Sequence, residues 1–483
     1  MQNDEYTFSE TLKHEGPLLV AAVFVVLFLI ARASVQSITI DEAISYLDFA
    51  AQPGPAHWYP DASNHVLNTA LARLFTSIFG ISAFTIRIPA LIGAVYYAFL
   101  CIRLCRLFLP ERLSAVALFI CLTCNPFVQD YLVAGRGYSL ALAFFTAVLL
   151  ILVRVCTERC ASAEKVIAAS ICAGLSICSN FSFAFANAIA ILSLLCCCWR
   201  VPGLSRKSLV AGALLPGIAA TILICGYTLQ HFPKDQLYHG ANNLKKMAKS
   251  ILAPSFDEPN PFLINPLLIS TFRLIRVVLP PAFLVLLLPQ LVMAVLRRAV
   301  LPTVLCGMLV GTILLHWLAF SLFHLLLPSG RTGLFFAPLV TILLAALASP
   351  IQSGATAVLR RATIIWFVAA AIYFIGCLRL SYFYEWKFDA DMRAVYFKLE
   401  ELNGRQPLEN ACIDWRCAAC INFYSMSHGG TLPHFDRFDA PMPGRSVYVL
   451  MQTEHRPFIE SQHLQIIYKG EISDVVIALS TKP

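Results

Sequence analysis

Between residues 17 and 380 the chain is dominated by long apolar runs. A hydrocarbon core about 30 Å thick is crossed by roughly 20 apolar residues in a helix. On that ruler about eleven runs qualify, at 17–37, 84–102, 113–128, 138–153, 166–180, 183–199, 209–229, 275–296, 302–327, 333–349 and 363–380. Inside lipid no water meets a backbone N–H or C=O, so each segment must satisfy its own, and runs of this length do so as helices. The fold expected is an α-helical polytopic membrane protein. Composition agrees: 58% of residues are hydrophobic and 13% charged, against about 25% charged in soluble domains.

The net charge of +8 is scattered between apolar runs. It makes no single basic face, which argues against a nucleic-acid partner. The basic residues instead mark alternate loops: Arg103, Arg106 and Arg112; Arg154, Arg159 and Lys165; Arg200, Arg206 and Lys207; Arg297 and Arg298; Arg360 and Arg361. The positive-inside rule makes these loops cytoplasmic. The N-terminus is then inside, and residues 39–85, 231–273 and everything beyond 380 face the exterior. Lys13 and the "ARA" at 31–33 have the outline of a signal peptide, but the acidic start predicts an uncleaved first helix.

Two exterior segments exceed simple connectors. Residues 38–83 carry apolar positions at helical spacing and predict two amphipathic helices at the membrane surface. Residues 230–273 place Lys245, Lys246 and Lys249 on one helical face, suited to membrane-lipid headgroups or to plain solvation. From 381 the charges return and short β-type runs follow, "SVYVLM", "LQIIYKG" and "VVIAL". They predict a small exterior α/β domain at 381–483 after a membrane domain at 1–380. Within it, "CIDWRCAAC" gathers Cys412, Cys417 and Cys420 ahead of His428. That pattern allows a zinc site, a redox pair, one disulfide or free thiols.

Ionisable residues near membrane depth are costly, so each invites a functional account. In "TIDEAISYLDFA", Thr39 and Glu42 have the spacing of a capping box, which leaves Asp41 free to act as a general base. In "SNHVLNTALARLF", His65 opens a helix beside Asn64 and Asn68, and Asn64 suits an N-cap. In "AGRGYSLAL", glycines flank Arg136 ahead of Tyr138, leaving room for a phosphate to meet the guanidinium. Arg331 in "LPSGRTGLFFAPL" is a second such cation, whereas Arg87 reads as an interfacial anchor.

In this order the motifs resemble the GT-C class of polytopic glycosyltransferases. That class includes glycosyltransferase family 39, the protein O-mannosyltransferases, the aminoarabinose transferases and their bacterial relatives. The resemblance covers roughly 17–380, through "DEAISY", "NHVLNTALARLFTSIFGISAFTIRIPALIGA", "AGRGYSLAL" and "GRTGLFFAPL". It implies a GT-C-like fold in the plasma (inner) membrane with its site on the exterior, periplasmic face. It also implies transfer of a sugar, with inversion, from a polyprenyl phosphate or diphosphate to a glycan, lipid or protein acceptor. Asp41 matches the family's catalytic acid and Glu42 its partner, orienting the acceptor or a metal. Arg136, Tyr138 and Arg331 would hold the donor phosphate. His65 matches the histidine of an "HPPL"-type loop, here "NHVL" without the prolines, which favours the bacterial relatives over the mannosyltransferases. Asn64 and Asp61 would support the acceptor or the loop. A divalent cation is possible through Asp41, Glu42, Asp48 and Asp61, although no fixed spacing demands one. Against the enzyme stand a flippase of lipid-linked sugars and an inactive scaffold. The first predicts inverted repeats, which the chain lacks.

Overall fold

The structure, a computed structural model, describes residues 8–58, 61, 63–199, 205–231, 240–260, 262–263, 265–349, 356–405 and 408–481, with the backbone alone for 8–15. The helices begin with α1 (Phe8–Val35), α2 (Ile40–Ser45), α3 (Val66–Phe79), α4 (Ala83–Phe108), α5 (Arg112–Thr123) and α6 (Pro126–Val133). There follow α7 (Tyr138–Glu158), α8 (Ala163–Ser179), α9 (Ala184–Cys198), α10 (Arg206–Gln230) and α11 (Leu244–Ser255). The last of the apolar stretch are α12 (Pro266–Leu296), α13 (Val300–Phe323), α14 (Phe336–Ala348) and α15 (Ala357–Gly376).

Among the described residues, nine helical segments are long and apolar enough to cross a membrane. The pair α5–α6 makes a tenth candidate, bent by 62°. The bend has a local cause. Pro126 lacks an N–H and pushes Asn125 out of helical geometry, and the Asn125 side chain then caps α6 from the N–H groups of Phe127 and Val128. The apolar run at 166–180 becomes α8, whose 17 residues leave it short of that count. It lies against α10 through small residues: Gly174 meets Gly217, whose N–H donates to Ser170 Oγ at 2.9 Å.

The loop at 38–83 does contain two helices, but the first does not lie on a surface. Helix α2 is short, runs on as a π-helical turn through Ala50, and is covered by the C-terminal region. Tyr424 accepts the N–H of Ile38 at 2.8 Å, and the rings of Tyr46 and Phe423 meet edge to face at 5.6 Å.

That C-terminal region holds α16 (Met392–Asn403), β1 (Ala411–Ile413), α17 (Trp415–Ser427), β2 (Val447–Met451), α18 (Arg456–Ser461), β3 (Gln465–Lys469) and β4 (Val475–Leu479). Its sheet runs β1-β2-β4-β3. Strand β1 is parallel to β2 (Cys412 opposite Tyr448), and the other pairs are antiparallel (Val449 opposite Ile477). The three expected strands are present, and β1 adds a fourth from inside the cysteine motif. One continuous apolar core joins Leu29 of α1 to Ile421 of α17 and Ile477 of β4.

All the described cysteines are free thiols. Cys412 sits in the small cluster under the sheet, while Cys417 and Cys420 face the main core from α17. No group of three or more His, Cys, Asp or Glu able to hold a metal occurs among the described residues. Of the options the motif allowed, buried free thiols is the one observed.

Candidate active site

The capping box at Thr39 forms: its N–H donates to Glu42 Oε2 at 2.9 Å, and Glu42 N–H returns to Thr39 Oγ1 at 3.2 Å. Glu42 is then fully enclosed. Arg87 grips it in two-pronged fashion, Nε to Oε1 at 2.8 Å and Nη2 to Oε2 at 2.7 Å, and the N–H of Gly135 adds 2.7 Å. The same guanidinium donates to the carbonyls of Ala33, Gln36 and Ser37. Arg87 is thus a buried strut rather than an interfacial anchor, because neither side chain of the pair meets solvent. With both oxygens occupied, Glu42 has no lone pair directed at an acceptor or a metal. Burial opposes its charge, but Arg87 and the N–H groups of Gly135 and Thr39 hold it below the usual carboxylate range.

The preceding position on α2 presents Asp41, turned away from Glu42 by the helix's rotation of about 100° per residue. Asp41 Oδ2 lies 2.5 Å from Arg331 Nη1, and both side chains keep about a fifth of their surface open, 21% and 19%. Burial raises the Asp41 carboxyl, and the charges of Arg136 and Arg331 outweigh it, leaving it below its ordinary value. Arg136 approaches from behind, donating to the Asp41 carbonyl at 3.0 Å and to the Ser45 hydroxyl. It projects from a turn that Gly137 makes possible: φ is +73°, and a Cβ there would collide with the Ser179 carbonyl. Arg331 stands on the tight turn Gly330–Gly333, which is tied to α11 by a hydrogen bond from Gly330 N–H to Ser250 Oγ at 3.0 Å.

Tyr138 lies behind these cations, with its ring 5.3 Å from that of His65. His65 is buried, its Nε2 is 3.5 Å from Asn180 Nδ2, and its Nδ1 has no partner. Burial and then the charges of Arg136 and Arg331 push it well below its ordinary value, so it is neutral. Asn68 braces the Arg136 turn through the Gly135 carbonyl at 2.9 Å. Asn64 accepts from the Thr69 hydroxyl at 2.8 Å, and Asp61 accepts the Ser63 N–H at 2.6 Å, so both shape the loop. Asp48 pairs with Arg437 at 3.8 Å. Among the described residues no three of the four carboxylates considered as hard metal ligands come together, and with Glu42 already saturated these residues do not fit a divalent cation.

Sequence reasoning missed the segment after the last span, "RLSYFYEWKFD". Glu385 Oε1 lies 3.2 Å from Arg331 Nη1, and its Oε2 accepts from the Tyr131 hydroxyl. The Trp386 ring covers Arg331 at 5.7 Å and meets Tyr131 edge to face. A buried ionic chain pins the segment: Arg32 to Asp130 at 2.7 Å, Asp130 to Arg379 at 3.4 Å, and Arg379 to Asp257 at 2.5 Å. Asp130, an acid in an otherwise apolar run, was the available signal.

No protein-family model and no curated protein sequence matches the chain. Among solved structures, ArnT from Cupriavidus metallidurans bound to undecaprenyl phosphate aligns over 97% of this chain and 98% of its own, at TM-score 0.55 and 10% identity. The same protein in the apo state aligns over 96% and 98%, at TM-score 0.52 and 10% identity. The fold of this chain is therefore the one its sequence resemblance implied, the GT-C architecture.

Proposed function

We propose that this protein is a membrane glycosyltransferase that moves a sugar from a polyprenyl phosphate carrier to a hydroxyl acceptor of the cell envelope, on the exterior face of the inner membrane. One observation carries the reading: a partly open carboxylate, Asp41, in contact with a partly open guanidinium, Arg331, with Arg136 behind. The likeness to a structure holding undecaprenyl phosphate supports a carrier of that chemistry.

In the reaction the acceptor oxygen attacks the anomeric carbon from the face opposite the carrier, and the bond from that carbon to the phosphate oxygen breaks. The electron pair leaves with the phosphate, the acceptor's proton passes to Asp41, and the configuration inverts. Arg331 and Arg136, with the Tyr138 hydroxyl, stabilise the charge that grows on the leaving phosphate. Neutral His65 orients ligand or loop by hydrogen bonding and carries no charge of its own. Glu42 acts through α2, holding the end that presents Asp41. Residues 1–380 supply these groups, and the unit at 381–483 adds Glu385 and Trp386 to the wall. The charged groups gather toward one end of the helices, which favours transfer there over a transport path through the midplane.

The test is sugar transfer from a synthetic polyprenyl-phosphate sugar by the purified protein, with mass spectrometry of envelope glycans to find the acceptor. Asp41→Asn abolishes transfer with its fold intact, and Asp48→Asn retains it. Full activity in Asp41→Asn sinks the mechanism.

A further inference from the structure

Glu385 is an acid in contact with Arg331 that the mechanism above does not use. One nitrogen, Arg331 Nη1, is shared by two carboxylates, Asp41 at 2.5 Å and Glu385 at 3.2 Å. The two are held differently. Asp41 is built into α2, whose end is fixed by the Thr39 box and by Arg136. Glu385 stands on irregular chain between α15 and α16, with 35% of its side chain open, and its remaining bond is from the Tyr131 hydroxyl. Trp386 covers one face of the guanidinium. An anion reaching Arg331 meets a carboxylate already in place, and of the two, Glu385 is the one free to swing out.

We infer that Glu385 is an internal stand-in for the carrier phosphate: it occupies Arg331 until the phosphate displaces it. This rests on the assignment of Arg331 as a phosphate ligand. Two roles follow. Glu385 keeps Arg331 extended toward the site, and it sets a threshold that only an anionic headgroup overcomes. When the phosphate takes Arg331, it also draws that cation from Asp41 and leaves the base freer to accept a proton. Donor binding and base activation are then one event.

The experiment is equilibrium binding of undecaprenyl phosphate, and of the neutral alcohol undecaprenol, to the full-length protein in nanodiscs. Glu385→Gln keeps an oxygen for Tyr131 but loses the charge, so its Kd for the phosphate falls about tenfold, within the range for loss of one close charge pair. Its Kd for undecaprenol does not change. In turnover, KM for the donor falls while kcat does not rise. A purely structural role for Glu385 predicts the reverse, weaker binding. Tyr131→Phe, which removes one hydroxyl, shifts Kd in the same direction by less and serves if Glu385→Gln folds poorly. Unchanged or weaker phosphate binding in both variants overturns the inference, as does equal tightening toward undecaprenol. Arg331→Ala separates the two readings. If it leaves phosphate binding intact, the assignment of Arg331 fails. If it weakens binding while Glu385→Gln does nothing, only the stand-in fails.

Discussion

A single enclosed ion pair, Arg87 with Glu42, fixes where Asp41 points. Removing one partner of such a pair strands the other charge, at a cost of roughly 3–5 kcal/mol. Arg87→Ala is therefore expected to unfold far below wild type in a detergent thermal scan, and Arg87→Met paired with Glu42→Leu to recover much of the loss. Asp389 gives a second test. Its Oδ2 accepts the N–H of Ile40 at 2.7 Å, at the start of α2. Burial pushes its carboxyl well above the usual range, against that hydrogen bond, and the nearby charges of Asp41 and Glu42 push further. The folded state thus holds this proton more tightly than the unfolded chain. Its contribution is complete below about pH 4, where the unfolded carboxyl titrates, and is lost as pH rises through the raised value. Asp41 and Glu42, both depressed, run the other way: their contribution is present above their unfolded values and lost as pH falls. Asp389→Asn isolates the first effect, and its Tm relative to wild type is expected to climb as pH increases. Failure to climb removes the assignment. At this scale the Thr39–Glu42 box was legible because its partners lie three residues apart, and Asp41 stood out as the neighbouring acid that the box does not use. Arg87 was misjudged because a helix-end arginine looks the same in sequence whether it faces lipid headgroups or a carboxylate 45 positions away. Glu385 was invisible because the hydroxyl it accepts from lies 254 positions earlier.

Among the elements, the turn at 134–137 sets the height of Arg136. Gly137 is the residue whose replacement separates conformation from chemistry. Gly137→Ala costs about 1–2 kcal/mol for the left-handed backbone alone, and the Ser179 carbonyl adds a collision. Transfer is expected to fall more steeply than Tm, because Arg136 is displaced before the bundle melts. A circular dichroism melt beside an activity assay reads both. The cysteine motif supplies an independent check. Cys417 and Cys420 are buried on α17, and burial drives both thiols well above their ordinary value. They should resist maleimide until the protein unfolds, and a strong chelator should leave Tm unchanged. The helices and three of the four strands were legible because apolar period and length declare them. The brevity of α2 was not: the backbone N–H groups of Ile38 and Ile40 and the ring of Tyr46, at its two ends, meet Tyr424, Asp389 and Phe423, which no local pattern announces.

For the molecule as a whole, the membrane bundle was readable from apolar length, while the way its tail closes on it was not. The ionic chain from Arg32 through Asp130 and Arg379 to Asp257 joins four distant parts of the sequence at one end of the bundle. Asp130→Ala takes the carboxylate partner from buried Arg32 and leaves Arg379 with Asp257 alone, and a loss of several kcal/mol together with weakened donor binding is expected. Asp130→Asn, which keeps shape, should lose less of both. The apolar core that runs unbroken from α1 into α17 and β4 has a consequence for anyone who cuts the gene at residue 380. Such a cut does not release a tidy soluble module. It bares the flank of α17 that rests on α2, so the fragment alone should collect as aggregate, and the truncated bundle should lose the wall holding Glu385 and Trp386. Made together in one cell, the two pieces have every reason to find each other, and recovered sugar transfer from the mixed fragments would show that what looks like an appendage is half of a single mould.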